Sequence, residues 1–305
     1  MDDKILVTGG TSHLGKSLKK LIPDAIFIEG KNELDLLDYN STLEYFKRKK
    51  PFRVLHLASR VGGIKSNIDF PFEFFYENIL INTNVFRACK ELNIPRLTSI
   101  LSTCVYPAQN HRYPMLEEDM LSGEPEKTNR GYAQSKRILA EMIDLYNAKY
   151  SGKYNYIIPC NLFGPEETYD SSKTHFLTSL IYKTAKSILS GKESLEMFGS
   201  GKVLRQFVTY DDLANMLVFC VKNDITESFN FTPDYNLTLK EYTELVEEIT
   251  DNKIQIYFNG NGPDGIFRKD GDNTKLKKVA PNFEFTDLRS SIKSVLEFYL
   301  KNDHI

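Results

Sequence analysis

The sequence of 305 residues predicts an α/β fold, in which a doubly wound, Rossmann-type parallel sheet is followed by a smaller C-terminal α/β lobe. Three observations support this prediction. Short apolar runs alternate with segments of helical periodicity through the first half of the chain. A glycine-containing loop separates the first apolar run from the first helical segment. After Gly164, longer loops rich in Gly, Pro, Asn and Asp separate the predicted helices and strands.

The first half of the chain shows the alternation most clearly. Its apolar runs predict strands at 5–7, 25–28, 54–57, 97–101 and 156–158. The segments between them have apolar residues at helical spacing, which predicts helices at 14–22, 39–49, 73–92 and 131–150. Strands that alternate with helices are typical of right-handed βαβ units, and these units build a parallel sheet.

The second half predicts a smaller lobe that shares an interface with the first. Helices are expected at 176–190, 211–223 and 238–250, with short strands near 195–198, 228–231 and 254–258. We therefore divide the chain into a dinucleotide-binding domain, residues 1–163, and a substrate lobe, residues 164–305. A segment of about 206–232 is expected to return to the first domain.

Composition and charge exclude several functional classes. The net charge is −2 with 26% charged residues, and no basic block indicates nucleic acid or an anionic membrane surface. Apolar runs fall short of the ~20 residues that a membrane span needs. The N-terminus lacks a signal-peptide pattern, and the four cysteines are scattered without metal-site spacing. These features predict a cytoplasmic protein.

The loop after the first strand predicts a dinucleotide site. Gly9 allows a tight turn, and Gly15 allows the first helix to pack closely on the strand. Backbone N–H groups at the start of that helix would hold a pyrophosphate. Ser12 replaces the middle glycine of the usual pattern, which narrows the approach of a ligand to the backbone. The expected cofactor-binding residues here are Gly9, Thr11, Ser12, His13, Leu14 and Gly15.

The choice between NAD and NADP stays open at the level of these residues. An acidic side chain at the end of the second strand favours the ribose 2′-hydroxyl of NAD, whereas a cation favours the 2′-phosphate of NADP. Glu29 and Lys31 lie two residues apart and favour opposite cofactors. Asp38 is placed either to contact the adenine or to cap a helix. Leu57 and Ala58 follow the third strand, where small residues leave room for the nicotinamide.

A tyrosine–lysine pair predicts hydride-transfer chemistry. Tyr132 and Lys136 lie four residues apart on a predicted helix, and Ser102 lies upstream at a strand end. The tyrosine hydroxyl would exchange a proton with the substrate oxygen, which Ser102 would hydrogen-bond. The lysine would hold the cofactor ribose and lower the pKa of the phenol, because an opposite charge favours the ionised form.

Two further residues suggest acid–base work in the same pocket. Cys104 follows Ser102 by two, so on an extended segment both side chains would point the same way and the thiol would face the substrate. A single cysteine is more often a core residue. His175 begins a predicted helix in the second lobe, and a lone histidine is more often structural.

Together these motifs resemble the GDP-L-fucose synthase family (GDP-4-keto-6-deoxy-mannose 3,5-epimerase/4-reductases) of the extended short-chain dehydrogenase/reductases. The resemblance covers nearly the whole chain. It is carried by His56-Leu-Ala-Ser-Arg-Val-Gly-Gly-Ile64, Ser102-Thr-Cys-Val-Tyr-Pro107, Thr128-Asn129 before the Tyr-Lys pair, Asn161-Leu-Phe-Gly-Pro165, Thr174-His175, Phe198-Gly-Ser-Gly201, Arg205-Gln-Phe207 and Gly262-Pro-Asp-Gly265 with Arg268-Lys269.

The resemblance implies a role for each matching residue. Cys104 is the base and His175 the acid that exchange protons at C3 and C5 of a GDP-linked 4-keto-6-deoxy sugar. NADPH then reduces the C4 ketone with Ser102, Tyr132 and Lys136, and Lys31 stands where the family has an arginine against the 2′-phosphate. The implied substrate-binding residues are Val61, Gly62, Asn161, Lys183, Phe198, Arg205, Arg268 and Lys269. The cofactor is NADP(H), and Glu29 keeps NAD(H) open.

The resemblance also implies a homodimer. Apolar residues beyond one face of two helices would build an intersubunit bundle: Phe74, Phe75 and Ile79, with Ile138, Leu139, Met142 and Leu145. The alternative is that these faces pack within one subunit. For the activity, the alternatives are reduction of C4 alone, the same chemistry on another 4-keto sugar such as a GDP-heptose, and a non-catalytic sensor on the same fold.

Overall fold

The computed structural model describes residues 4–166, 169, 174–261 and 265–302, with the side chain of Ile64 left out. Its strands are β1 (Ile5–Thr8), β2 (Ile26–Phe27), β3 (Arg53–His56), β4 (Arg96–Ile100), β5 (Tyr154–Pro159), β6 (Asn161–Phe163), β7 (Ser194–Met197), β8 (Leu204–Arg205), β9 (Phe207–Thr209), β10 (Phe229–Phe231), β11 (Leu237–Thr238), β12 (Gln255–Phe258) and β13 (Arg268–Lys269).

The helices are α1 (His13–Leu21), α2 (Tyr39–Lys49), α3 (Ile64–Asp69), α4 (Pro71–Glu91), α5 (Arg130–Tyr150), α6 (Phe176–Leu189), α7 (Tyr210–Lys222), α8 (Leu239–Ile249), α9 (Thr274–Val279) and α10 (Leu288–Lys301). Seven helices follow the predicted periodic segments with small shifts at their ends, and three more that the sequence analysis does not predict are present among the described residues: α3, α9 and α10. Short 3₁₀ helices occupy Thr103–Val105, Glu117–Leu121 and Lys127–Asn129. Among the described residues, no helix is long and apolar enough to cross a membrane.

A six-stranded parallel sheet forms the centre of the first half, in the order β10-β5-β4-β3-β1-β2. Strands β3 and β5 are buried along their whole length, because helices cover both faces of the sheet. The chain leaves β1 toward β2 and then returns to β3 on the other side of β1. This reversal creates a crevice beyond the carboxyl ends of β1 and β3, where doubly wound folds bind ligands. The predicted fold class is confirmed.

The second lobe has its own apolar core under smaller sheets. Strands β11-β8-β13 form one sheet and β12-β7 another, and α6, α8 and α10 pack together. Leu180, Tyr242 and Leu296 lie in the core between these helices. Between the two lobes the chain crosses back, since β9 pairs with β6, α7 packs on α1, and β10 joins the edge of the large sheet beside β5.

Candidate active site

One cleft of about 470 Å³ brings together the five predicted catalytic residues. It lies where the carboxyl ends of the sheet strands face the beginnings of α5 and α6. Its lining includes Ser102, Cys104, Tyr132, Lys136 and His175. Four of these residues come from the first lobe and His175 comes from the second, so both halves of the chain line the cleft.

Lys136 is the most deeply held of these residues. It lies one helical turn after Tyr132 on α5, is 2% exposed, and its Nζ donates a hydrogen bond to the Ile100 carbonyl at the end of β4, 2.9 Å away. Burial lowers the pKa of the Lys136 ammonium to about 8. The ammonium therefore keeps its positive charge at neutral pH, but its pKa lies close enough to neutral pH for it to lose the proton in mildly alkaline solution.

The prediction that Lys136 lowers the pKa of Tyr132 is wrong for this structure. Burial raises the pKa of the Tyr132 phenol, and the negative charge of Cys104 raises it further, against a lowering by a hydrogen bond with Ser59. The Lys136 ammonium lies 5.8 Å from the centre of the tyrosine ring and is directed at the Ile100 carbonyl instead. Tyr132 therefore remains protonated, which is the state that a proton donor needs.

Cys104 lies on a turn rather than on an extended segment. Residues 103–105 form a 3₁₀ helix capped by Ser102, whose Oγ accepts a hydrogen bond from the Cys104 N–H at 3.3 Å. The alternation argument for a shared direction of Ser102 and Cys104 is therefore wrong, although both residues line the cleft. Two donors approach the sulfur: Asn129 Nδ2 at 3.1 Å and Lys269 Nζ at 3.6 Å.

His175 is the N-cap residue of α6, as the sequence predicts for a residue that begins a helix. The residue before it, Thr174, donates a hydrogen bond to Glu166 Oε2 at 3.0 Å, which ties the start of α6 to the end of the β6 segment. His175 faces the open cleft, so water reaches it. The protein that surrounds the cleft still lowers the pKa of the imidazole, and the Lys269 ammonium lowers it further.

The glycine loop has the geometry of a dinucleotide site. Gly9 has a positive φ of 75°, and a Cβ there would lie 2.9 Å from the Ala58 nitrogen, while a Cβ on Gly15 would lie 2.5 Å from the Gly9 carbonyl. Ser12 is the N-cap of α1: its hydroxyl donates to the Gly9 carbonyl and accepts from the Gly15 N–H. The serine at the middle glycine position therefore stabilises the loop, and the residues present fit a dinucleotide.

A second cleft of about 400 Å³ continues from this loop along the edge of β2. Its lining includes Thr11, Lys31, Leu57 and Ala58, while His13 and Leu14 line the first cleft. Lys31 forms an ion pair with Asp35 at 3.2 Å and lies at the mouth, 69% of its side chain exposed. Apolar residues suited to an adenine line the same cleft: Ile28, Leu34, Leu36, Leu37 and Ile81.

The acidic residues predicted at this end have structural partners. Glu29 lies outside the lining of the cleft and pairs with Lys19 on α1. Asp38 is the N-cap of α2, with its carboxylate accepting from the N–H groups of Asn40 and Ser41, and those bonds lower its pKa. Of the two alternatives for Asp38, the structure has the helix cap. With Glu29 turned away, Lys31 is the charged residue of this pair that faces the cleft.

The predicted substrate-binding residues divide into two groups. Val61, Gly62 and Asn161 line the catalytic cleft. The others lie outside its lining in the second lobe. Strand β13 pairs with β8 in a register that sets Lys269 opposite Arg205. Phe198 is 73% exposed, and Lys183 lies half-buried on α6. Residues 262–264 of the Gly-Pro-Asp-Gly motif lie outside the described residues.

Arg268 is predicted to bind the substrate, but in the structure another residue of the protein, Asp270, binds its side chain. Its guanidinium forms two hydrogen bonds to the buried Asp270 carboxylate, at 2.6 and 2.9 Å, and lies 5.2 Å from the ring of Tyr113. These bonds raise the pKa of Arg268. Its neighbour Lys269, by contrast, reaches Cys104, with its Nζ 3.6 Å from the sulfur.

Sequence reasoning missed several polar residues behind the site. Ser59 appears in the sequence analysis only within a motif, yet its hydroxyl donates to Asn78 Oδ1 at 2.7 Å and also contacts the Tyr132 phenol. Glu166 and Asn129 received no role, although both stand beside motif residues. Their signal in the sequence is weak, because each acts on a residue that is distant in the chain.

Comparison with known proteins gives the same family. The NAD dependent epimerase/dehydratase family matches residues 5–232. A GDP-L-fucose synthase of Dictyostelium discoideum is 34% identical, with 98% of this chain and 95% of the relative covered. A GDP-L-colitose synthase of Yersinia pseudotuberculosis is 32% identical, with 97% and 98% covered.

Solved structures agree with these relatives. The crystal structure of a GDP-L-fucose synthetase from Naegleria fowleri bound to NADP is 29% identical and superimposes with a TM-score of 0.88, over 99% of this chain and 94% of that one. The relatives match along nearly the whole chain, and the cleft contains Ser102, Cys104, Tyr132, Lys136 and His175 from the motifs that carry the resemblance. The chain therefore belongs to the NAD dependent epimerase/dehydratase family and, within it, to the GDP-L-fucose synthase family.

Proposed function

We propose that this protein is an NADP(H)-dependent 3,5-epimerase/4-reductase that acts on a GDP-linked 4-keto-6-deoxy sugar. The first candidate substrate is GDP-4-keto-6-deoxy-mannose, whose product is GDP-L-fucose. One observation carries the proposal. A single cleft contains the reductase residues Ser102, Tyr132 and Lys136 together with a cysteine and a histidine from opposite walls. A reductase alone needs the first three, and proton exchange beside a ketone needs the other two.

The exchange step follows from the acidity of the carbons next to the ketone. The Cys104 thiolate removes a proton from C3 or C5, an S–H bond forms, and the electron pair of the broken C–H bond moves to the ketone oxygen. The hydroxyls of Ser102 and Tyr132 stabilise that enolate oxygen, in the manner of an oxyanion hole. His175, on the second-lobe wall, returns a proton to the carbon, which inverts its configuration.

The reduction step uses the buried pair on α5. NADPH, when bound, supplies the hydride that C4 receives. Tyr132 gives its proton to the C4 oxygen, which suits a phenol whose pKa is raised by burial and by the charge of Cys104. Lys136 holds its positive charge beneath the tyrosine and donates to the Ile100 carbonyl, which fixes the ammonium at the floor of the cleft.

The nucleotide end is supported by charge. Arg205 on β8 lies opposite Lys269 on β13, and its guanidinium suits the charge of a diphosphate, while the Lys269 ammonium is directed at Cys104. Phe198 supplies an exposed aromatic face nearby in the chain, which suits a base.

The decisive experiment is turnover in heavy water. The enzyme is incubated with GDP-4-keto-6-deoxy-mannose and NADPH, and the product is analysed by mass spectrometry and NMR. Deuterium at C3 and C5 of GDP-fucose is the expected result. Consumption of NADPH without deuterium at C3 or C5 of the product would mean that the enzyme is a C4 reductase only. No turnover would move the substrate to another 4-keto sugar, with GDP-linked heptoses and UDP- or dTDP-linked sugars as the next panel.

The preference for NADP is tested at the mouth of the second cleft. Lys31→Gln removes the cation that would hold the 2′-phosphate, and the KM for NADPH should rise about tenfold while that for NADH changes little. Glu29→Gln is the matched control, since Glu29 pairs with Lys19 outside the cleft and should leave both KM values in place. Equal effects of the two substitutions would contradict the role of Lys31.

We also propose a homodimer formed through α4 and α5. Phe75, Ile138 and Leu145 are exposed on these helices, whereas Phe74 and Leu139 pack inside the subunit. The exposed residues support an intersubunit bundle, and the buried ones belong to the monomer core. Light scattering tests this: Leu145→Glu should give a monomer, and a wild-type monomer at all concentrations would contradict the proposal.

We further propose that the protein acts in the cytoplasm. All four cysteines are free thiols in the structure, which suits a reducing compartment. Fractionation of the cells that express it would test the location.

A further inference from the structure

Asn129 occupies a helix N-cap without acting as a cap. It precedes α5, the helix that carries Tyr132 and Lys136, and asparagine is one of the preferred N-cap residues because its side-chain oxygen can accept from the first free N–H groups. Here the Asn129 side chain makes no cap hydrogen bond. Its Oδ1 is instead buried without a hydrogen-bond partner among the described residues. Both features cost stability.

The nitrogen of the same side-chain amide accounts for this loss of stability. Asn129 Nδ2 donates to the Cys104 sulfur at 3.1 Å. A rotation that let Oδ1 cap the helix would remove this donor from the sulfur. A side chain that neither caps its helix nor satisfies its own oxygen is typical of a functional site. Here that arrangement directs a fixed N–H group at the sulfur of Cys104, which lines the cleft.

A second donor meets the same sulfur from the opposite lobe. Lys269 Nζ lies 3.6 Å from Cys104 Sγ, at the end of β13. Asn129 and Lys269 can only donate hydrogen bonds through these atoms, so the sulfur is the acceptor in both contacts. A sulfur that accepts from a neutral amide and from a cation is stabilised as an anion.

We propose that Asn129 is a positioning residue for Cys104: with Lys269, it holds the sulfur in the cleft and favours the thiolate that proton exchange at C3 and C5 requires. This inference rests on the proposed function for its role in catalysis, but the contacts act on the cysteine without substrate. The coupling also reaches the reductase residues, since burial raises the pKa of Tyr132 and a charge on Cys104 raises it further, so the phenol keeps its proton.

The test is the alkylation rate of Cys104 in the full-length enzyme without substrate, measured with iodoacetamide at neutral pH by intact mass. The thiolate is the reacting form, and the other three thiols are buried, so Cys104→Ser identifies the signal. Asn129→Ser removes the donor but leaves a residue that can cap α5. We expect the alkylation rate to fall roughly ten- to hundredfold, with an unchanged or raised Tm.

Controls separate this role from a structural one. Thr128→Ala changes the neighbouring residue, whose hydroxyl bonds Glu126, and should alkylate at the wild-type rate. Lys269→Gln should slow alkylation as Asn129→Ser does. The inference is overturned if Cys104 in Asn129→Ser is alkylated at the wild-type rate. It is also overturned if alkylation is slower only because the variant has a lower Tm.

A turnover measurement connects the contact to the reaction. In heavy water, Asn129→Ser should lower deuterium exchange at C3 and C5 more than it lowers the oxidation of NADPH, and equal losses would overturn the inference. If the wild-type enzyme shows no exchange at all, the proposed function fails, while the alkylation result still decides whether Asn129 acts on Cys104.

Discussion

The two proposed catalytic sets of this cleft are held in different ways. Tyr132 and Lys136 lie one turn apart on α5, and Lys136 is buried against the end of β4. Cys104 and His175 come from a short turn in one lobe and from a helix N-cap in the other. A single rigid helix sets the first pair, whereas the second pair is held by separate contacts: Asn129 and Lys269 approach Cys104, and Glu166 accepts from the residue before His175. Of these contacts, the one between Lys269 and Cys104 joins the two lobes.

This difference indicates how one cleft performs two reactions. The reductase pair is preorganised before any ligand binds, because its geometry is a property of helix spacing. The exchange pair requires that both lobes lie in register. Substitutions in the first pair should therefore lower hydride transfer more than proton exchange, and substitutions in the second should lower proton exchange more than hydride transfer.

The largest effect is expected for Tyr132→Phe. Loss of the phenolic proton donor should lower the rate of NADPH oxidation roughly 10³-fold, within the range for a general acid. Deuterium exchange at C3 and C5 should persist, because Ser102 still supports the enolate oxygen. A parallel loss of exchange would show that the two sets are not separable.

The reciprocal substitution is Cys104→Ser. A serine hydroxyl is a far weaker base than a thiolate, so exchange at C3 and C5 should fall at least about 10²-fold. Reduction of the C4 ketone without inversion should remain measurable by NADPH oxidation. Unchanged exchange would show that Cys104 is not the base.

The sequence predicted the first set better than the second, for a physical reason. Residues that share a helix obey a fixed spacing, so Tyr132, Lys136 and the fold of the first lobe follow from periodicity. The direction of Cys104 was predicted from strand alternation, and the 3₁₀ helix at 103–105 made that argument wrong. Its place in the cleft nevertheless follows the family resemblance.

Contacts between distant residues stayed beyond the sequence. Three such contacts depend on tertiary packing: Glu29 pairs with Lys19, Arg268 bonds Asp270, and Lys269 approaches Cys104. The raised pKa of Tyr132 is of the same kind, because it comes from burial and from the charge of Cys104, and a single sequence does not give burial at the level of atoms.

A smaller effect is expected from pH. Burial lowers the pKa of Lys136 to about 8, so the ammonium is charged below that pH and loses its proton above it. If the cation is needed for reduction, kcat/KM for NADPH oxidation should fall about tenfold per unit as pH rises above 8. His175→Asn should keep this alkaline limb, since His175 belongs to the other set. A flat profile from pH 7 to 10 would contradict the role of the charge.

The smallest effect concerns the anchor of His175. Thr174 donates to Glu166 at 3.0 Å, and this bond fixes the start of α6 against the end of the β6 segment. Thr174→Val keeps the shape of the side chain and removes the hydroxyl, so His175 loses part of its positioning and Glu166 loses a donor. Exchange at C3 and C5 should fall about fivefold while NADPH oxidation changes little. Thr174→Ser, which keeps the hydroxyl, should recover most of the exchange. An equal loss in both reactions would mean that the bond supports the whole cleft, and the difference between the two sets would then be one of rigidity rather than of separate control.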